Sequence, residues 1–293
     1  MIKHRHSELI VVSLLLLIFQ SCGLNKTKHN KLTLSFKVSS YNIRYNAAAD
    51  IASGNGWEIR KGEVAKLIKK YNFDIVGTQE GDSTQMEELS LLLPGYYKVS
   101  HPYGGATGNI HTNSILYKKG LFEVLDCGVF WLSQTPDIAS IGWDATDRRI
   151  CQWTKFKDKK SGKEFVFFNA HFYWRKEEAK KQSGPLIIEK VKLIAGELPV
   201  ILTGDFNSNV ETSQIKAIKT LLKDSYDISS NGRKGVEGTN IAGGVFKGPS
   251  KGRIDFIFIS EGIGVNDYEV YSDVYNTDHY PSDHLPVSVN VSF

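Results

Sequence analysis

Apolar residues occur in short runs along this chain, and the runs differ in period. Leu32, Leu34, Phe36 and Val38 alternate with polar neighbours, which predicts a strand with those four side chains on one face. In 57–71, Val64, Leu67, Ile68 and Tyr71 fall at helical spacing with Lys and Arg between them, an amphipathic helix. Residues 73–80 read as a buried strand, and a second helix follows, capped by Asp82 or Ser83 and stopped after Leu93 by Pro94 and Gly95. Further strands are expected over 96–99, 113–118, 122–132, 149–156 and 165–171, with a charged hairpin turn at 157–163. A helix is expected from about Pro185 to Ala195, with Ser183 near its cap and Pro185 in its first turn. The short apolar run 198–201 is a buried strand leading into Leu202-Thr203-Gly204-Asp205-Phe206-Asn207-Ser208. A helix over 211–222, with Ile215, Ile218, Leu221 and Leu222 as its stripe, comes next. After a Gly-rich loop (232–252) the chain closes with strands over 253–259, 268–274 and 287–293. Strands dominate, four helices are scattered among them, and no repeat or internal break is visible. That pattern predicts an α+β chain, a four-layer α/β sandwich of two mostly antiparallel sheets packed face to face with helices outside.

The N-terminus breaks the pattern. Lys3, His4, Arg5 and His6 precede an almost wholly apolar stretch from Leu9 to Phe19, too short to span a bilayer comfortably, and Phe19-Gln20-Ser21-Cys22 ends it. A Cys closing such a stretch after a small residue is similar to a bacterial lipoprotein signal. The expected division is therefore a signal over 1–22 with Cys22 lipidated, a tether over 23–31, and one catalytic domain over 32–293. This places the protein in the cell envelope, a periplasmic or outer-membrane lipoprotein held to a membrane by its N-terminal lipid anchor. Cys127 and Cys151 remain, both in strand-like segments. Whether they pair is open at this point, two buried unpaired thiols being the preferred reading.

The 293 residues are 41% hydrophobic, enough for a substantial core, and the formal charge is only +4. Such a balance suits phosphorylated partners without requiring a nucleic-acid groove. The informative chemistry lies at the strand ends. Asn42, Glu80, His171, Asp205 with Asn207, and Asp283 with His284 each terminate an apolar run, and Asp255 sits inside another. Buried without partners, each would cost stability. Their recurrence points to strand ends converging on one rim. Carboxylates and carboxamide oxygens are hard ligands suited to Mg²⁺ or Mn²⁺, and no His or Cys pair has zinc-ligand spacing. Such a rim supports metal-assisted attack of water on a phosphate ester.

Ser40-Tyr41-Asn42-Ile43, Asp74-Ile75-Val76-Gly77-Thr78-Gln79-Glu80, Asn169-Ala170-His171, Gly204-Asp205-Phe206-Asn207, Arg253-Ile254-Asp255-Phe256 and Ser282-Asp283-His284-Leu285-Pro286 occur in that order. Together, from about residue 34 to the C-terminus, they resemble the endonuclease/exonuclease/phosphatase superfamily with its deoxyribonuclease-I-like fold. The resemblance implies that Glu80 is the principal metal ligand, assisted by Asn42 and Asp283. It implies that His171 hydrogen-bonds the scissile phosphate, that Asp205 positions or deprotonates the attacking water, and that Asn207 holds the phosphate. His284 would be a general base or phosphate contact, with Asp255 fixing its tautomer. Arg149 is either a phosphate contact or part of a structural ion pair.

Two departures bear on substrate. Tyr173 and Trp174 stand where many relatives have other residues, forming either an aromatic wall for a ring or headgroup or a cover for an apolar edge. Gly184-Pro185 interrupts what is often one continuous helix. Taken singly, His101, His111 and His279 read as surface or loop residues. The expectation is a monomeric metal-dependent phosphoesterase acting on a phosphorylated small molecule (a sugar or inositol phosphate, or a nucleotide). Nucleic acid and phospholipid headgroups are the alternatives, and no hydrophobic hairpin like that of bacterial sphingomyelinases stands out. A non-catalytic binding module would have lost some of these residues, and none is lost.

Overall fold

Alternation along each strand sends side chains to two destinations, and the computed structural model shows both. It describes residues 33–104 and 110–293; the expected signal, Cys22 and the tether lie outside the described residues. In chain order the elements are β1 (Ser35–Asn42), α1 (Ala48–Ala52), α2 (Trp57–Lys70), β2 (Ile75–Gln79), α3 (Ser83–Leu92), β3 (Tyr96–Gly104), β4 (His111–Lys118), β5 (Phe122–Trp131), β6 (Ile150–Asp158) and β7 (Glu164–His171). There follow α4 (Glu177–Ala195), β8 (Val200–Asp205), α5 (Ser213–Ile218), β9 (Lys223–Asp224), α6 (Ser225–Ile228), β10 (Arg233–Gly235), β11 (Asp255–Ile259), β12 (Gly264–Val270) and β13 (Val287–Ser292). One sheet runs β10-β12-β13-β1-β2-β4-β3 and the other β5-β6-β7-β8-β11-β9, each mostly antiparallel.

Three apolar cores separate four layers. Between the sheets, Leu34, Phe36, Val38 and Ile75 meet Phe122, Phe165, Phe167, Ile201, Ile257 and Ile259. Outside the first sheet, Val64, Leu67 and Ile68 of α2 and Met86 and Leu89 of α3 cover Tyr41, Val76 and Leu116. Outside the second, Ile187 and Val191 of α4 and Ile215 and Ile218 of α5 cover Val166, Phe168, Leu202, Phe256 and Phe258. The expected α/β sandwich is the observed fold.

The inner faces are graded. Reading every second residue, β7 presents Phe165, Phe167, Asn169 and His171, and β8 presents Ile201, Thr203 and Asp205. Pairing aligns these series in rows: Phe167 opposite Ile201, Asn169 opposite Thr203, and His171 opposite Asp205, which itself faces Asp255. The space between the sheets thus passes from hydrocarbon through amides and hydroxyls to ionisable groups. The N–H groups of the amide layer are satisfied internally, since Gln79 Nε2 donates to Asn169 Oδ1 (2.7 Å) and Asn169 Nδ2 to the carbonyls of Thr78 (2.9 Å) and Ser114 (3.2 Å), while Gln79 Oε1 and Asn113 Oδ1 stay without a partner. Asn113 Nδ2 donates to Asn169 O (3.0 Å).

Several boundaries differ from those the sequence predicts. Helix α4 is continuous from Glu177, with Pro185 inside it and not in its first turn. Ala179, Ser183, Ile187, Val191 and Ala195 form one buried stripe at four-residue spacing, and that burial outweighs the proline. Gly184 is there for contact: a Cβ would lie 2.5 Å from Gln214 O of α5. Helix α5 spans only Ser213–Ile218, and β12 ends at Val270, where its pairing with Val287 ends. Cys127 is exposed and Cys151 buried, and both are free thiols.

Where the two sheets approach most closely, Gly77 leaves no room for a side chain. A Cβ there would lie 2.3 Å from Thr203 Oγ1 and 2.7 Å from Asn169 Oδ1. Gly77→Ala is expected to lower stability by about 1–3 kcal/mol through overpacking. Gly62→Ala, at an open position within α2, should raise it by about 0.5–1 kcal/mol. Chemical denaturation of the two variants beside wild type checks both signs, and a neutral Gly77→Ala would contradict the close approach.

Candidate active site

The graded face ends in a cleft of about 300 Å³ lined by Arg44, Tyr45, Glu80, His111, Asp147, Arg149, His171, Trp174, Asp205, Asn207, Asn240, Gly243, Ile254, Asp283 and His284. Asp205 is its hub. Oδ2 accepts from Asn42 Nδ2 (3.0 Å) and lies 3.6 Å from His171 Nε2 and 3.7 Å from His284 Nε2. Oδ1 accepts the Asn207 backbone N–H (2.9 Å). Asn42 Nδ2 also donates to Glu80 Oε1 (3.1 Å), while its oxygen accepts the Arg44 N–H (3.0 Å). His284 Nδ1 lies 2.9 Å from Asp255 Oδ2, the pairing expected of a carboxylate that orients an imidazole.

Several of these residues hold unusual backbone. Glu80 (φ 70°), Asn207 (φ 46°) and Arg44 (φ 58°) are all left-handed without being glycine. Conformations of this kind cost about 1–3 kcal/mol each and persist where surrounding contacts over-determine them. Arg60 supplies many of those contacts. Wholly buried on α2, it donates to five carbonyl oxygens, those of Ile43, Arg44, Tyr45, Asn55 and Pro281, at 2.8–3.4 Å. Ser282 Oγ adds a bond to Asn42 O (2.7 Å). The loops that leave β1 and enter β13 are thereby tied together.

Environment separates the protonation states of the two histidines. Burial, reinforced by the charge of Arg149, holds His171 well below the ordinary imidazole value, so its ring is neutral. Burial acts on His284 in the same direction, but Asp255 and Asp205 overcome it and hold that ring well above the ordinary value. Burial pushes Asp205 up to about 7, against the opposing pull of His284. Glu80 feels burial too, yet His171, Arg44, His111 and His284 hold its carboxyl at about 2, the rings of His171 and His111 contributing once acid protonates them, so it stays ionised.

Ligand atoms of Glu80, His171 and Asp205 lie within 4.8 Å of one another, and those of Asp205, Asp255 and His284 form a second such group. Asp283 lines the same cleft outside both groups. Its Oδ2 accepts from Gly244 N (2.7 Å) and its buried Oδ1 has no partner, like Asp255 Oδ1. An ionised glutamate among buried carboxylates with unused oxygens fits a hard divalent cation.

The remaining expected residues divide. Arg149 is 6% exposed and among the described residues pairs with no carboxylate; it donates to Phe172 O (3.3 Å) and Arg148 O (3.2 Å) and borders the cleft. Trp174 lines the cleft, half-exposed. Tyr173 does not: it is 2% exposed, bonded through its hydroxyl to Thr146 Oγ1 (2.8 Å), and lies under the Arg149 guanidinium. Two contributors were not legible in the sequence. Tyr103, whose hydroxyl is 2.8 Å from His171 Nδ1, precedes a Gly-rich stretch of sequence with nothing to mark it. His111 is a buried residue opening β4, and not on the surface; its ring centroid lies 4.5 Å from that of Tyr45, the two planes tilted by 37°. Only its place at the start of an apolar run, the counterpart of the marked strand ends, could have singled it out.

Comparisons bear on the family and the fold. The profile of the Endonuclease/Exonuclease/phosphatase family matches residues 39–284. The chain is similar to the crystal structure of an endonuclease/exonuclease/phosphatase family protein from Bacteroides thetaiotaomicron, with 37% identity, a TM-score of 0.83, and coverage of 89% of this chain and 99% of that one. It is also similar to a mannosyl-6-phosphatase of the same organism, with 36% identity, a TM-score of 0.82, and coverage of 88% and 100%. An uncharacterized protein of Acanthamoeba polyphaga mimivirus is 32% identical over 183 residues, 59% of this chain and 67% of that protein.

A pH prediction follows from Asp205. An unfolded aspartyl carboxyl ionises near pH 4, whereas the folded one holds its proton to about 7. Between these values the folded state binds the extra proton, so Asp205 costs stability progressively as pH rises. The raised His284 acts in the same direction above its unfolded value. Thermal unfolding in EDTA should therefore find Asp205→Asn gaining on wild type from pH 5 to pH 7.5. A gap that is flat or shrinks over that range contradicts the assignment.

Proposed function

The chain belongs to the Endonuclease/Exonuclease/phosphatase family, and on that premise we propose that it is a divalent-metal-dependent phosphoesterase acting on small phosphorylated metabolites. The observation that carries the reading is the gathering of Asn42, Glu80, His171, Asp205, Asn207, Asp283 and His284 around one cleft of about 300 Å³, with the unpaired guanidinium of Arg149 on its wall. That volume is at the lower end for small-molecule sites. The similarity to a mannosyl-6-phosphatase supports a phosphorylated metabolite as substrate.

Glu80 and Asp283, with Asn42 once its amide turns its oxygen inward, would hold Mg²⁺ or Mn²⁺. Such an ion supplies charge neutralisation at the phosphoryl oxygens. The side chains do the rest. Arg149 holds a non-bridging oxygen, and neutral His171 offers Nε2–H when Tyr103 donates to Nδ1. These donors stabilise charge that grows on the phosphoryl group. Asp205 takes a proton from water as the water oxygen bonds to phosphorus and the ester P–O bond breaks. The leaving oxygen departs toward the cleft mouth, where solvent protonates it. His284, held protonated by Asp255 and Asp205, serves as a phosphate contact and not as the general base. Asn207 anchors the β8 end by donating to Phe172 O (3.1 Å).

Purified protein should hydrolyse p-nitrophenyl phosphate or a sugar phosphate with Mg²⁺ or Mn²⁺ and lose turnover in EDTA. Glu80→Gln and His284→Ala should each cut kcat by about 10²–10³, the scale of removing one charge-stabilising group. The panel also includes bis-p-nitrophenyl phosphate, inositol phosphates, plasmid DNA and sphingomyelin. Preference for DNA or sphingomyelin would replace the small-metabolite reading, and metal-independent turnover would overturn the mechanism.

A further inference from the structure

The cleft is not uniformly cationic. Arg149, Arg44 and His284 line it. So do a carboxylate, Asp147, and the half-exposed indole of Trp174, whose chain neighbours Thr146 and Tyr173 are joined by a hydroxyl–hydroxyl bond (2.8 Å). Asp147 belongs to no ion pair among the described residues. Its one side-chain partner is the hydroxyl of its neighbour Thr146, at 3.4 Å. It faces the site closely enough to act on His111 and Tyr103, opposing the downward pull of burial on the first and adding to the upward pull on the second.

The loop that carries Asp147 is pinned. Gly142 lies so close to the backbone that a Cβ would sit 2.0 Å from Leu132 O. Trp143 N donates to Gln134 Oε1 (2.9 Å), and the Asp144 carboxylate accepts the Ala179 N–H (2.8 Å) at the first turn of α4. Thr146 Oγ1 is bonded to the buried Tyr173 hydroxyl (2.8 Å). Asp147 is therefore held in place before any ligand arrives. Trp174 is oriented too, because the Arg175 guanidinium lies 4.0 Å from its ring centroid and occupies one face.

A fixed carboxylate with free lone pairs accepts hydrogen bonds from paired hydroxyls and repels a second anion. A flat ring with one face occupied offers the other to an apolar ring face. We infer that Asp147 and Trp174 form a subsite for the polyhydroxylated ring of a monophosphorylated sugar, and that Asp147 selects against substrates carrying a second phosphate there. The inference rests on the phosphoesterase reading above and narrows its substrate to a hexose monophosphate.

The test compares wild type, Asp147→Asn and Trp174→Ala on mannose 6-phosphate, glucose 6-phosphate, glucose 1,6-bisphosphate and ringless methyl phosphate. Both side chains are partly exposed, and unchanged melting temperatures confirm that the variants fold. Wild type should favour the monophosphates over the bisphosphate at least tenfold in kcat/KM. Asp147→Asn should raise KM for the hexose 6-phosphates about tenfold with kcat within twofold, and should shrink the bisphosphate penalty by a similar factor. Trp174→Ala should raise KM for the sugars while leaving methyl phosphate unaffected. Equilibrium binding of mannose 6-phosphate, read by calorimetry in EDTA, should weaken about tenfold in both variants. Binding that weakens without any turnover by wild type would uphold the subsite and sink the phosphoesterase. Turnover and binding indifferent to both substitutions would overturn the subsite and leave the phosphoesterase standing.

Discussion

The structure depends on burying amides between two sheets with their N–H groups paired. A hydrophobic sandwich could close along its whole length, but then no ionisable row could sit at its end. Here Asn169 bridges the gap, joined to Gln79 and to the Thr78 and Ser114 carbonyls, and Gly77 lets the sheets come close enough for those bonds to form. Unmade, each bond would leave a buried polar group costing about 1–3 kcal/mol. Made, they fix how the strand ending in Glu80 stands relative to the strands ending in His171 and Asp205. Placement of the ionisable row is thus set one layer beneath it.

The same layering explains the electrostatics. Ionisable groups at the end of an apolar sandwich are poorly solvated on one side, so small differences in their neighbours decide which of them carries charge. His171 has a phenol hydroxyl on Nδ1 and is neutral; His284 has a carboxylate there and is charged. Neither ring reaches its state through its own strand alone. Each partner comes from the opposite sheet: Tyr103 from β3, across from the β7 that carries His171, and Asp255 from β11, across from the β13 that His284 leads into.

Much of this could be read from residue order. Polar side chains that end apolar runs, as at Asn42, Glu80, His171 and Asp205, stand out because nothing in a strand core requires them. The fold followed from the strand-rich pattern, and the α2 stripe from its spacing. Other parts were hidden by competing forces. Pro185 reads as a helix start, yet the buried stripe of α4 carries the helix through it. Tyr103 stands near the end of β3, His111 opens β4 and Asp147 lies between β5 and β6, and only the folded chain shows what they face. Tyr173 and Trp174 are adjacent and aromatic, and sequence alone could not separate the one that supports Arg149 from the one that borders the cleft.

Arg60 bears on how the protein is made. Its guanidinium joins carbonyls that follow β1 to the carbonyl of Pro281, and β1 itself pairs with β13, the last strand of the chain. The earliest and latest synthesised parts of the site are thus direct neighbours. A chain not yet extended past Pro281 lacks Asp283, His284 and the strand that flanks Asn42. The cleft can therefore assemble only when nearly all of the described chain is present, and no N-terminal fragment that stops short of Pro281 carries it.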